Sequence, residues 1–121
     1  VFYRYTPRFM KSTAIHEVLH FIYFEKWKEV FPGTKEKEFD GPYPAWQLSE
    51  MMVGIILNDK RVQKVFKYKF HSYREFDNFK LNEKPFLSYL QSFYDNRKDF
   101  EDFLRKSLNF VQKHKKEINS I

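Results

Sequence analysis

Cysteine is absent from this chain of 121 residues, so neither a disulfide framework nor a cysteine-ligated metal ribbon can be built from it. Glycine is scarce at three residues and proline at five, which excludes collagen-like and flexible-linker architectures. Long apolar runs are missing too. The longest, 14–24, carries three strongly polar residues and falls short of the roughly 20 apolar residues that span a bilayer. No basic segment leads into a continuous apolar stretch, so no signal peptide is visible. The chain begins at Val1 rather than Met, which leaves room for upstream sequence. The default expectation is a cytoplasmic protein with no membrane partner.

What remains is a mixture of 42% apolar and 31% charged residues, the balance of one globular domain spanning 1–121. Fifteen Phe and eight Tyr imply a core held largely by rings. The net charge of +6 invites a nucleic-acid reading. Lys60, Arg61, Lys64, Lys67 and Lys69, interleaved with Phe66, Tyr68 and Phe70, could form a stacking and phosphate platform. Helical spacing, however, puts Arg61, Lys64 and Lys67 on one side, the pattern of a solvated basic face, and that reading is preferred.

Periodicity predicts a mainly α fold of four to five helices. Ser12 and Thr13 are good N-caps for a helix reaching about Val30, stopped by Phe31-Pro32-Gly33. Residues 34–43 read as a charged loop. Pro44 opens a second helix to about Leu57, and Asp59 caps a short continuation through Phe66. Pro85–Tyr94 and Lys98–Asn119 are predicted as two more helices. On the last, Phe100, Phe103, Leu104, Leu108 and Val111 form one stripe, expected to face the core. Residues 67–84 have no clear pattern. A small sheet from Val1–Tyr5 and Lys67–Ser72 is the remaining expectation.

The chemistry concentrates in His16-Glu17-Val18-Leu19-His20. Two histidines four apart on a helix lie one above the other. Both rings can therefore reach one zinc ion at about 2.0–2.1 Å. Glu17 is rotated by about 100° from His16, so its carboxylate flanks the ion rather than binding it. There it can take a proton from water activated by the metal. With four His and ten Glu in the chain, composition alone yields this pattern in about one such sequence per hundred. The surroundings sharpen it: these three are the strongly polar residues in three turns of otherwise apolar helix, 14–24. Such a helix is expected to be buried all round, and buried ionisable groups need a partner or a metal. A lone histidine there reads as a satisfied core residue; the triplet reads as a metal site.

These residues resemble the signature of zincin metallopeptidases. That signature asks for Thr or Val three positions before the first His, uncharged residues between the histidines, and a hydrophobic residue two after the second. Thr13, Val18-Leu19 and Ile22 meet each condition. No metzincin extension follows, since Tyr23 and Trp27 stand where its Gly and third His would be.

A catalytic zinc takes a third protein ligand. Glu50 is the best candidate, because on the second helix its face-mates Trp46, Val53, Gly54 and Leu57 leave its carboxylate on an apolar face. His71, Glu38 and Asp40 are rivals in less regular stretches. A Glu from a downstream helix is similar to the gluzincin arrangement, including the minigluzincins and the ImmA/IrrE-type bacterial metallopeptidases. The chain departs from larger gluzincins at Gly54, where some place an Asp that orients a histidine. His71 and Tyr43 are the donors considered for stabilising an oxyanion. The resemblance implies a zinc peptidase acting on a peptide or protein, with His16, His20 and Glu50 as ligands and Glu17 as general base. Known zincins lay substrate along a sheet built mostly upstream of the active helix. About a dozen residues precede it here, so the chain is expected to be a fragment or a minimal scaffold. The alternatives are a non-catalytic metal-stabilised interaction domain and a basic nucleic-acid-binding module.

Overall fold

A computed structural model describes residues 7–67, 70 and 74–120. The chain is mainly α-helical. Helix α1 runs Pro7–Val30, a 3₁₀ turn covers Glu36–Phe39, and α2 runs Pro44–Leu57. Short helices α3 (Lys60–Gln63) and α4 (Arg74–Asn78) lead to a two-stranded antiparallel hairpin, β1 (Lys80–Leu81) and β2 (Lys84–Pro85). Helices α5 (Phe86–Asp95), α6 (Phe100–Lys113) and α7 (Lys115–Asn119) complete the order. No helix among the described residues is long and apolar enough to cross a membrane.

The predicted start of α1 at Ser12 gives way to Pro7. Proline lacks the N–H that a first turn leaves unpaired anyway, and no glycine interrupts residues 8–13. The end at Val30 falls where expected. Pro32 cannot continue the helix, and Thr34 turns the chain. Its hydroxyl accepts from the Trp27 indole at 2.9 Å and donates to the Phe31 carbonyl at 2.9 Å. Asp59 caps α3 as foreseen, accepting from the Arg61 N–H at 2.8 Å, although α3 stops at Gln63 rather than Phe66. The single helix expected over Lys98–Asn119 divides at His114.

Among the described residues a small sheet forms at 80–85. Val1–Tyr5 lies outside the described residues, as does most of Lys67–Ser72. The hairpin sits at 80–85, in register Lys80↔Pro85 and Leu81↔Lys84, around Asn82 and Glu83. Both turn residues have positive φ, 52° and 66°, the conformation a two-residue hairpin loop requires. Glutamate rarely occupies that position, which is why composition did not reveal the turn.

Helix α2 is the centre of the fold. Ala45, Leu48, Met51, Met52, Val53, Ile55 and Leu57 are all buried, so α2 is covered nearly all round. Phe86, Leu90 and Tyr94 of α5 and Phe103, Leu104 and Val111 of α6 pack against it in the same cluster. The α6 stripe therefore faces the core as predicted. Rings interlock there, with Phe79–Phe86 at 5.0 Å, Phe86–Phe110 at 5.1 Å and Tyr94 edge-on to Phe103 at 5.2 Å.

Helix α1 corrects the expectation of all-round burial. Its C-terminal half inserts Tyr23 and Trp27 into the core, but Met10, Val18, Phe21 and Ile22 are exposed. The apolar run is real, yet α2 covers one side of it and the other meets solvent. Ile15 and Leu19 join Val53, Leu57, Val62 and Phe70 in a second, smaller cluster. Burial of Phe70 also removes one ring from the suggested stacking platform. Asn58 fixes that segment: its side-chain amide donates to the Phe70 carbonyl at 2.8 Å and accepts from the Phe70 N–H at 3.0 Å.

Two phenylalanines separate these environments. Phe103→Ala in the fully buried core is expected to cost about 3–5 kcal/mol. Phe21→Ala on the open face of α1 should stay within about 0.5 kcal/mol. Urea unfolding of both variants checks the pair, and equal losses would mean that α1 is covered after all.

Candidate metal centre

The helical spacing does what the sequence implied. His16 and His20 sit one turn apart on α1 with ring centroids 4.6 Å apart, and their Nε2 atoms approach to 2.8 Å. Glu50, from the middle of α2, turns its carboxylate onto the same point. Its Oε1 lies 3.1 Å from His20 Nε2 and its Oε2 lies 3.6 Å from His16 Nε2. Their ligating atoms all fall within 4.8 Å of one another, and among the described residues this is the group able to hold an ion.

Those distances can be tested against a metal. Two donors about 2.0–2.1 Å from a tetrahedral zinc stand about 3.3–3.4 Å apart. The observed separations of 2.8, 3.1 and 3.6 Å bracket that value. The donor set, two imidazoles and one carboxylate, also suits zinc. Glu50 is 6% exposed, and its Oε2 is buried with no hydrogen-bond partner. A buried carboxylate oxygen without a donor is costly, and a cation at this point removes the cost. The residues present fit the ion.

Electrostatics bind the trio even without one. Burial pushes the Glu50 carboxyl up, but the polar contacts and charges of the His16 and His20 rings, at 3.6 and 3.1 Å, outweigh it and hold it at about 2. The His16 ring is raised above its ordinary value, first by its contact with Glu50. Burial opposes that, and the Glu50 and Glu17 charges add to it.

The site opens into a cleft lined by Glu17, His20, Phe21, Phe24, Phe39, Asp40, Trp46 and Glu50. Glu17 thus reaches the ligands' cleft while remaining exposed, in keeping with a flanking role. Tyr43 is the N-cap of α2, half-buried, and is not among the residues lining the cleft. His71 lies outside the described residues. Of the rival ligands, Glu38 accepts from the Lys35 N–H at 2.8 Å, and Asp40 lines the cleft without joining the ligating group.

Sequence reasoning passed over the aromatic wall of the cleft. Phe24 follows His20 by four residues and Trp46 precedes Glu50 by four, so each ligand's helical face continues into one ring. That signal was present. Phe39 and Asp40 come from the 3₁₀ turn and its cap, where no periodicity could place them. Comparisons with protein-family models, curated proteins and solved structures yield no match to this chain. The zincin resemblance accordingly rests on the residues quoted above.

Glu50 and His16 titrate in defined directions. In metal-free protein Glu50 contributes stability above its unfolded value near 4.5, lost as pH falls towards about 2. His16 contributes below its unfolded value near 6.5, lost as pH rises through its raised value. The contribution is fullest between those two values. Zinc needs neutral imidazoles, so its affinity should rise about tenfold or more between pH about 6 and about 8, with proton release. Isothermal titration in buffers of different ionisation enthalpy measures both effects, and pH-independent affinity would argue against histidine ligation. His16→Ala, His20→Ala and Glu50→Ala should each remove most bound zinc in metal analysis.

Proposed function

We propose that this protein is a zinc-dependent peptidase working in the cytoplasm, with His16, His20 and Glu50 as ligands and Glu17 as general base. One observation carries the reading: a buried carboxylate oxygen without a donor converges with two imidazoles beside a cleft that holds a further carboxylate, Glu17. A structural zinc site would need a fourth protein donor to close it. The trio stands beside an open cleft, where water can take that fourth position. That supports the catalytic reading over the metal-stabilised interaction domain.

The roles of the side chains follow from position. Zinc bound here would supply a Lewis acid and lower the pKa of coordinated water to about 7. Glu17 accepts the proton as water attacks the scissile carbonyl carbon, then delivers it to the departing amine nitrogen. Glu50 is held ionised, so it anchors the ion and takes no part in proton transfer. His16 and His20, one turn apart on a single helix, fix the ion relative to Glu17 because all three share one rigid backbone. The substrate is a peptide or protein; the exposed basic residues of α3 read as a solvated face.

Glu17→Gln separates binding from chemistry. The variant should retain one zinc per chain and lose about 10²–10⁴-fold in peptide cleavage. Turnover of a fluorogenic peptide library, measured beside zinc content, checks this. Undiminished cleavage by the variant would remove Glu17 from the reaction, and no cleavage by the zinc-loaded wild type would remove the peptidase reading.

A further inference from the structure

The cleft beside the ligands has walls of one chemistry and a rim of another. Phe24, Phe39 and Trp46 supply rings, while Glu17, Asp40 and Glu50 supply carboxylates. No lysine or arginine among the described residues lines it. Lys28 lies over the Phe39 ring at 5.5 Å, but it is already paired with Glu25 at 3.6 Å. The rings are held in place. Phe24 contacts Phe39 at 4.7 Å and His20 at 5.7 Å between centroids. The loop at Gly41 lies beside Trp46, where a Cβ would meet the indole at 3.4 Å, at van der Waals contact.

Charge and size narrow the ligand. One divalent ion set against Glu17, Asp40 and Glu50 leaves a negative charge over, in a chain whose net charge is +6. The sign of the field therefore reverses at this cleft, which draws cations in. Its volume is about 250 Å³, below the roughly 300–1,000 Å³ of pockets for compact small molecules. It suits a single side chain. A purely apolar side chain would cover Asp40 and Glu17 without offering them a partner. A chain with an apolar stem and a cationic head satisfies both surfaces, since ring faces attract cations and methylenes pack on them.

We propose that this cleft receives a lysine or arginine side chain of the substrate, its stem on Phe24, Phe39 and Trp46 and its head at Asp40. Cleavage then falls beside a basic residue. The proposal rests on the peptidase reading for its biological sense, but its test reads binding without turnover. Asp40 is the specificity-determining residue. It is exposed, and its side chain makes no hydrogen bond or ion pair with the described residues, so its substitution is expected to leave the fold intact.

The probes are Nα-acetyl-lysine methylamide and Nα-acetyl-norleucine methylamide, which share a stem and differ in the ammonium. They are titrated into ¹⁵N-labelled protein with one equivalent of zinc. The readout is the Trp46 indole N–H shift, assigned with Trp46→Phe. The lysine probe should saturate at about tenfold lower concentration than the norleucine probe. Asp40→Asn should bring the two within about twofold, and Asp40→Glu should restore most of the gap. Equal binding of the probes, or a lysine preference untouched by Asp40→Asn, overturns the proposal. A protein that cleaves no peptide yet discriminates the probes loses the peptidase reading alone. One that cleaves without regard to basic residues keeps that reading and loses the pocket.

Discussion

A carboxylate buried between two helices and facing two imidazoles is the constraint on which the local structure turns. Glu50 sits in the middle of the most thoroughly covered helix, where an ionised group is expensive. Nothing on α2 itself repays that cost. Repayment comes from α1, thirty residues earlier in sequence, through His16 and His20. The helices must therefore dock in one register. A slide by a single residue would turn a histidine off the shared face and leave the carboxylate uncompensated. The pair of clusters flanking the trio, Ile15 and Leu19 below and Tyr23 and Trp27 above, fixes the same register by packing.

How far this was legible in the sequence depends on which signal carried each part. Helix α2 was read to the residue, because Pro44 starts it and Asn58-Asp59 ends it, and both act locally. The convergence of His16, His20 and Glu50 was legible because helical geometry converts spacing directly into position. Burial of α1 was not. An apolar run states what a helix could bury and says nothing of how many neighbours arrive to cover it. Here α2 and α6 take one side, leaving Val18, Phe21 and Ile22 in solvent. The histidines are half-buried in consequence, so the inference from burial to metal site runs through Glu50 instead. The hairpin was hidden because its left-handed turn uses Asn82-Glu83 where a glycine would have signalled it. Phe39 and Asp40 entered the cleft through a loop, and loops carry no period from which to place a side chain.

Incomplete cover on α1 is also what the proposed function would need. A histidine pair sealed on all sides would hold an ion beyond the reach of a substrate. The arrangement instead buries the Glu50 carboxylate deeply and leaves His20 and Glu17 on the cleft, with His16 half-buried beside them. On the proposed reading, depth would fix the charge that anchors an ion, while openness would admit the bond to be cut. The two demands are met by different helices: the covered α2 supplies the anchor and the half-covered α1 supplies the groups that must face solvent.

That division couples metal affinity to folding. Among the described side chains, those tying the N-terminal half of α1 to the rest are Ile15, Leu19 and the His–Glu contacts, a smaller set than the ring-filled cluster that holds α5 and α6 to α2. Such a segment opens locally at lower free energy than the core. Apparent zinc affinity then equals the intrinsic affinity scaled by the fraction of molecules in which α1 is docked. By the same linkage, zinc bound at the proposed site would stabilise the docked form by an amount set by its concentration over its dissociation constant. The ion would thus serve as a clamp between two helices distant in sequence as well as a centre of reactivity. Changes at Ile15, Leu19 or Asn58, none of which contributes a ligand, would weaken it through docking alone.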